Sequence, residues 1–127
     1  MMLGLTRSWR VFDDQQRRHV WQRYLLGELN GATLGILALG RVGRQVAAVG
    51  RALGMHVIGC GPRLSGGKPA EYNVDELVQR SEWRTLLGRI DFLVCCAPLA
   101  QETFHMFGEA GLKAMRPSAY FIYIGRG

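Results

Sequence analysis

No apolar stretch in this 127-residue sequence approaches the ~20 residues needed to span a bilayer, and Met1 to Arg10 holds no apolar core of an export signal. Neither a membrane partner nor an exported protein is expected. Cysteine is sparse, with Cys60, Cys95 and Cys96 all in or beside apolar runs. Their number is odd, and neighbours Cys95 and Cys96 would face opposite sides of a strand. That suits neither a disulfide framework nor a zinc site, so reduced, buried thiols in the cytoplasm are the expectation. Acidic residues are in deficit, 10 against 16 Lys and Arg, for a net charge of +6. The basic residues are scattered, however, with Arg17-Arg18 the only adjacent pair. Without a basic stripe among exposed aromatics, a solvated surface is expected rather than a nucleic-acid partner.

What is present is the material of one folded domain: 48% hydrophobic residues against 20% charged. Residues 1–28 are rich in charge and aromatics, and one amphipathic helix is predicted there, roughly Asp13 to Arg23. From residue 29 the texture changes. Thr33 to Leu39 is a short apolar run, read as a strand buried on both faces. Gly40 to Leu53 follows with Val42, Val46, Val49 and Leu53 at helical spacing, and Gly54 stands where a C′ glycine ends a helix. Met55 to Cys60 is the next strand, before an open loop from Gly61 to Pro69. Strand, helix and strand in about 30 residues make a βαβ unit. Beyond it, Val74 to Leu87 reads as helical turns, Ile90 to Cys96 as a strand, Glu102 to Met115 as a helix broken near Gly108, and Ala119 to Ile124 as a strand. Alternation of this kind predicts an α/β fold with a parallel sheet covered on both faces.

The chemistry is concentrated in Ala38-Leu39-Gly40-Arg41-Val42-Gly43, between a predicted strand and a predicted helix. A phosphate-binding turn needs backbone N–H groups facing the ligand and no side chain in the way. Gly40 would let the backbone approach a pyrophosphate, Gly43 would let the helix pack closely on the strand, and the amides of Arg41 and Val42 would point at the phosphates. Ala38 takes the first glycine position and adds only a methyl to the turn. An Asp or Glu about 20 residues on would accept from an adenosine ribose 2′-hydroxyl. Here the second strand ends Ile58-Gly59-Cys60-Gly61-Pro62-Arg63, without a carboxylate. Arg63 could instead pair with a 2′-phosphate, so NAD or NADP is expected, with the balance towards NADP.

Three blocks in order carry a resemblance. Leu29 to Gly43, then Ile90-Asp91-Phe92-Leu93-Val94-Cys95-Cys96-Ala97-Pro98-Leu99 with Glu102-Thr103, then Ile122-Tyr123-Ile124-Gly125-Arg126-Gly127 resemble the cofactor domain of the D-isomer-specific 2-hydroxyacid dehydrogenases. The lack of an acid after the second strand is similar to the glyoxylate/hydroxypyruvate reductase-like branch. The resemblance implies a Rossmann-type doubly wound parallel sheet, incomplete at the C-terminus, with residues 1–28 a helical segment and 29–127 a partial NAD(P)-binding domain. It implies that Gly40, Arg41, Val42 and Gly43 hold the pyrophosphate and that Arg63 lies near the adenosine ribose. Ala97, Pro98 and Thr103 would line the cofactor, and Ile124 and Gly125 would pass near the nicotinamide.

Arg126 matches the family's catalytic arginine, whose planar, always-charged fork suits a small 2-oxo or 2-hydroxy acid. Tyr123 stands where the family has Asn, and Ala100 where it has Thr. The family's acidic residue and its acid/base histidine fall beyond the R-G signature, past residue 127, and its substrate-binding domain has no counterpart here. His19, His56 and His105 fall in the wrong blocks to substitute. The expectation is therefore a truncated cofactor half, inactive alone. The alternative is a non-catalytic NAD(P)-binding module of the corepressor type, and the aromatic N-terminal helix is a candidate homodimer interface.

Overall fold

The computed structural model describes residues 1–61, 67–98, 100, 101, 103 and 106–125. Its strands are β1 (Thr33–Leu37), β2 (His56–Gly61), β3 (Glu76–Gln79), β4 (Phe92–Cys95) and β5 (Tyr120–Tyr123). Its helices are α1 (Met2–Thr6), α2 (Trp9–Arg17), α3 (Arg41–Ala52) and α4 (Glu109–Ala114), joined by 3₁₀ segments at Pro69–Tyr72 and Arg80–Leu86. All strand pairs are parallel, in the order β3-β2-β1-β4-β5. The expected Rossmann-type α/β fold is thus present.

The side-chain alternation of a strand divides the core in two. Leu34 and Ile36 of β1 join Val57, Phe92, Val94, Ile122 and Ala47 of α3 on one face. Leu37 joins Ile58, Leu93, Cys95, Trp83, Leu86 and Leu87 on the other. Burial of β1 on both faces explains its unbroken apolar sequence.

Helix α3 lies where the glycine loop predicted it, but its most buried face is made of small residues rather than of the whole apolar stripe. Gly43, Ala47 and Gly50 are its buried residues, while Val42 and Val49 are more than half exposed. The reason is steric: a Cβ at position 50 would come within 2.6 Å of Leu34 Cδ2. Close approach of helix to sheet selects the small residues; of the predicted stripe, Val46 and Leu53 flank the same core, while Val42 and Val49 are left exposed on the side that faces Met2 of α1. Gly54 follows the helix at φ 76°, the left-handed geometry of a C′ glycine.

Two further elements differ from the sequence reading. Val74 to Leu87 is not helical in its first half: residues 76–79 form β3, in register with β2 from Ile58↔Glu76 to Gly61↔Gln79. Pairing with an open strand edge overrode a local pattern that the following 3₁₀ turn, with Trp83 and Leu86 buried, completes by coincidence. The N-terminal helix sits earlier than predicted. Asp13–Arg17 and Asp14–Arg18 ion pairs at i,i+4 close the last turns of α2, and His19 at φ 52° turns the chain away. Neither α1 nor α2 has a buried residue, and Trp21 and Leu25 are fully in solvent. Of the helix expected from Glu102 to Met115, α4 is the described part. No helix among the described residues is long and apolar enough to cross a membrane.

Candidate functional site

The carboxyl ends of β1 and β4 diverge at the centre of the sheet, because β1 is followed by a crossover to β2 on one side and β4 lies on the other. Open α/β sheets leave a crevice at such a point. A cavity of about 130 Å³ lies there, bordered by Leu37 and Ala38 after β1, Cys60 and Gly61 of β2, and Ala97 and Pro98 after β4. Arg80, Trp83, Ala100, Thr103 and Met106 complete its wall. Whole-ligand pockets run to roughly 300–1,000 Å³, so this space is too small to enclose a drug-sized ligand whole.

The glycine loop opens beside it. Gly40 is the N-cap of α3, in extended geometry, with no side-chain cap on the first turn and no acidic residue in it. A Cβ at Gly40 would meet nothing within 4 Å, so the space beside the helix N-cap is open. Gly43 is the opposite case: a Cβ there would collide with the carbonyl oxygen of Ala38. Ala38 donates its N–H to Cys60 O at 2.8 Å and holds φ at 74°. An alanine in that left-handed region costs roughly 1–2 kcal/mol relative to glycine, more than the size of its methyl suggested. Arg44 ties the loop down: Nε donates to Leu39 O at 3.2 Å, and its guanidinium lies 4.5 Å over the Tyr72 ring.

After β4, the Thr103 hydroxyl donates to Pro98 O at 2.6 Å and accepts from the Ala100 N–H at 2.9 Å. One side chain thereby closes the turn that forms the cavity's far wall. After β5, the Ile124 N–H donates to Cys95 O at 3.0 Å, and Gly125 lies so close to Ala97 that a Cβ would strike its carbonyl oxygen. The structure therefore brings Gly40, Arg41, Val42, Gly43, Ala97, Pro98, Thr103, Ile124 and Gly125 to one edge of the sheet. Arg63 and Arg126 lie outside the described residues, as does His105.

The thiols here are inert. Burial pushes Cys60 and Cys96 up to about 11, and raises Cys95, so none is a nucleophile near neutral pH. No metal-binding group of His, Cys, Asp and Glu exists among the described residues. His56 sits at the amino end of β2 with Nδ1 3.8 Å from Asp75, at the opposite edge from the cavity. Trp83, Met106 and Arg80 were not singled out by sequence. Trp83 carried only a core signal, and nothing local marks Arg80.

The sequence profile of the D-isomer specific 2-hydroxyacid dehydrogenase NAD binding domain matches residues 1–127. This chain belongs to that family. It is 38% identical over 100 residues to a glyoxylate reductase of Aeropyrum pernix, a match covering 79% of the chain and 29% of the reductase. A D-isomer specific 2-hydroxyacid dehydrogenase family protein of Aeromonas salmonicida has a solved structure that superposes with a TM-score of 0.88 at 31% identity. That superposition covers 99% of this chain and 39% of the other. An NADPH-dependent glyoxylate/hydroxypyruvate reductase of Sinorhizobium meliloti, solved with NADP and sulfate, gives 0.85 at 29% identity, over 99% of this chain and 40% of that one. This chain thus spans well under half the length of these relatives. The glyoxylate reductase of Aeropyrum pernix and the Sinorhizobium meliloti reductase carry enzyme names, and the corepressor-type reading gains no support.

Proposed function

We propose that this chain is the cofactor-binding portion of an oxidoreductase that moves hydride between NAD(P)H and a small 2-oxo or 2-hydroxy acid. The observation that carries the reading is the uncapped amino end of α3, with side-chain-free Gly40 in open space just past the carboxyl end of β1, the edge of the sheet where the crevice lies. A dinucleotide fits these residues: the first-turn amides offer donors to a diphosphate, and the apolar cavity beside Ala38 takes one ring end.

Gly40, Arg41, Val42 and Gly43 would hold the pyrophosphate, and Ala97, Pro98 and Thr103 would border the adenosine half. Ile124 and Gly125, beyond β5, would lie along the nicotinamide half. The nicotinamide, when bound, supplies the hydride that chemistry on a 2-oxo carbon requires. Arg126 would grip the acid's carboxylate and polarise its carbonyl. Arg63, in a loop without a carboxylate, tilts the proposal towards NADP.

Residues 1–28 are read as a helical segment preceding a partial nucleotide domain at 29–127. The exposed aromatics of that segment are its candidate dimer contact. The scattered basic residues are read as solvated surface, so nucleic acid has no part in the proposal. The reduced, buried thiols fit a cytoplasmic setting.

No acid/base histidine stands at the cavity edge among the described residues, and the isolated chain is proposed to be inactive. Titration with NADH and NADPH, followed by nicotinamide fluorescence, tests the cofactor reading. Saturable binding is expected, and folded protein indifferent to both at millimolar concentration would overturn it.

A further inference from the structure

Strands β2 and β3 end side by side at the cavity. Gly61, the last residue of β2, is the register partner of Gln79, the last of β3, and Arg80 follows immediately. Adjacent strands lie about 4.8 Å apart, so the residue after Gln79 leaves the sheet beside the end of β2. Both Gly61 and Arg80 border the cavity, and Arg80 is the sole charged side chain that does so among the described residues. Its charge reaches Cys60 on the neighbouring strand, where it opposes the effect of burial on the thiol.

We propose that Arg80 reads the 2′-phosphate of an adenosine ribose and, with Gly61 in place of a carboxylate, makes this an NADP-selective pocket. The inference rests on the cofactor reading above and adds a residue that the loop sequence after β2 does not contain. Two physical arguments support it. The end of the second strand is where a dinucleotide fold presents an acid to the 2′-hydroxyl, and Gly61 presents neither an acceptor nor a repelling charge there. A guanidinium offers two parallel donors to phosphate oxygens, and beside an apolar wall its field is screened less than in open solvent. An arginine just past the end of β3, next to the vacant acid position at the end of β2, therefore favours a dianionic substituent over a hydroxyl.

The test uses the whole chain and four probes: NADPH, NADH, 2′,5′-ADP and 5′-AMP. Wild type should bind the 2′-phosphorylated member of each pair more tightly. Arg80→Gln should remove that preference, weakening NADPH and 2′,5′-ADP about 10- to 100-fold while leaving NADH and 5′-AMP within about twofold. Arg80→Lys should keep part of the preference, because it keeps the charge but not the fork. Gly61→Asp, made with Arg80 intact, should reverse the preference towards NADH.

Equal losses for both members of a pair would make Arg80 a wall residue and overturn the proposal. So would a preference that survives Arg80→Gln and disappears only in Arg63→Gln. If Arg80→Gln does not fold, Gly61→Asp decides alone, and unchanged NADPH selectivity in that variant sinks the idea. Wild type that binds NADH and NADPH equally refutes the Arg80 assignment but leaves the cofactor reading standing. Wild type that binds neither removes both.

Discussion

The carbonyl oxygen of Ala38 occupies the place where a Cβ on residue 43 would stand. The glycine loop is therefore closed from inside: residue 43 has to be Gly because residue 38 turns its carbonyl under the helix. Ala38 reaches that orientation at φ 74°, where a Cβ is unfavourable. Ala38→Gly is expected to raise stability by up to about 1 kcal/mol, the relief of strain exceeding the extra entropy of an unfolded glycine. Gly43→Ala should lower it by about 1–3 kcal/mol, as overpacking does. Urea unfolding of the two variants measures both, and a destabilised Ala38→Gly would contradict the strain argument.

Gly40 separates binding from folding. Space around it is open, its φ of −73° suits any residue, and an added methyl meets no protein atom. Gly40→Ala should cost about 1 kcal/mol at most in stability, yet weaken nucleotide binding at least tenfold by standing before the first-turn amides. Matched melting curves with unequal NADPH titrations are the expected result. Unaltered nucleotide affinity would move the diphosphate away from this turn.

Two aspartates serve the amino edge of the sheet in the same way. Asp91, preceding β4, accepts the Thr33 N–H of β1 at 2.8 Å, and Asp75, preceding β3, accepts the Val57 N–H of β2 at 2.8 Å. Each carboxylate closes a backbone donor on the neighbouring strand. Asp91→Ala should cost about 1–2 kcal/mol, whereas Asp91→Asn, which keeps an acceptor, should cost less. The ion pair of Asp91 with Arg116, at 3.2 Å and with both side chains partly exposed, adds little. Equal losses for Ala and Asn would assign the effect to the charge instead.

The thiols set an alkaline limit. Cys60 and Cys96 are pushed up to about 11 by burial, against about 8.5 for an unfolded cysteine. A folded value above the unfolded one means that the unfolded chain gives up its protons first as pH rises. Their contribution is whole below about pH 8.5 and falls progressively towards about pH 11. A Cys60→Ala, Cys96→Ala variant should show a flatter decline of the urea midpoint across that window. At the acid end, the Arg89 hydrogen bonds hold the Glu76 carboxyl below its usual value, so that contribution is present above the ordinary Glu range and lost as pH falls.

Turnover is the remaining check. The isolated chain should bind nucleotide yet reduce pyruvate, glyoxylate and hydroxypyruvate no faster than buffer, because a positioned proton donor contributes roughly 10²–10⁴-fold. Measurable oxidation of NADPH in the presence of any of the three acids would require a proton donor that the cavity edge does not display among the described residues.

Much of this architecture is legible in one dimension. Apolar runs too short for helices marked β1, β2, β4 and β5, and Gly40, Gly43 and Gly54 marked the loop and both ends of α3. Where the reading differed, the deciding contact is distant in sequence. Val74 to Val78 shows helical spacing, yet the free edge of β2 draws residues 76–79 into a strand. The valines of α3 form the more apolar stripe, yet Gly43 and Gly50 face the sheet because only they allow α3 so near.

Sequence alone thus determined the parallel α/β order and the place of the glycine turn, since both depend on local hydrophobic period and on residues that lack a side chain. Tertiary structure decided which face of α3 is buried, that Ala38 is held left-handed, and that Arg80 stands beside Gly61. Those three depend on the register between strands and the distance between layers, which are properties of packing and leave no mark on neighbouring residues.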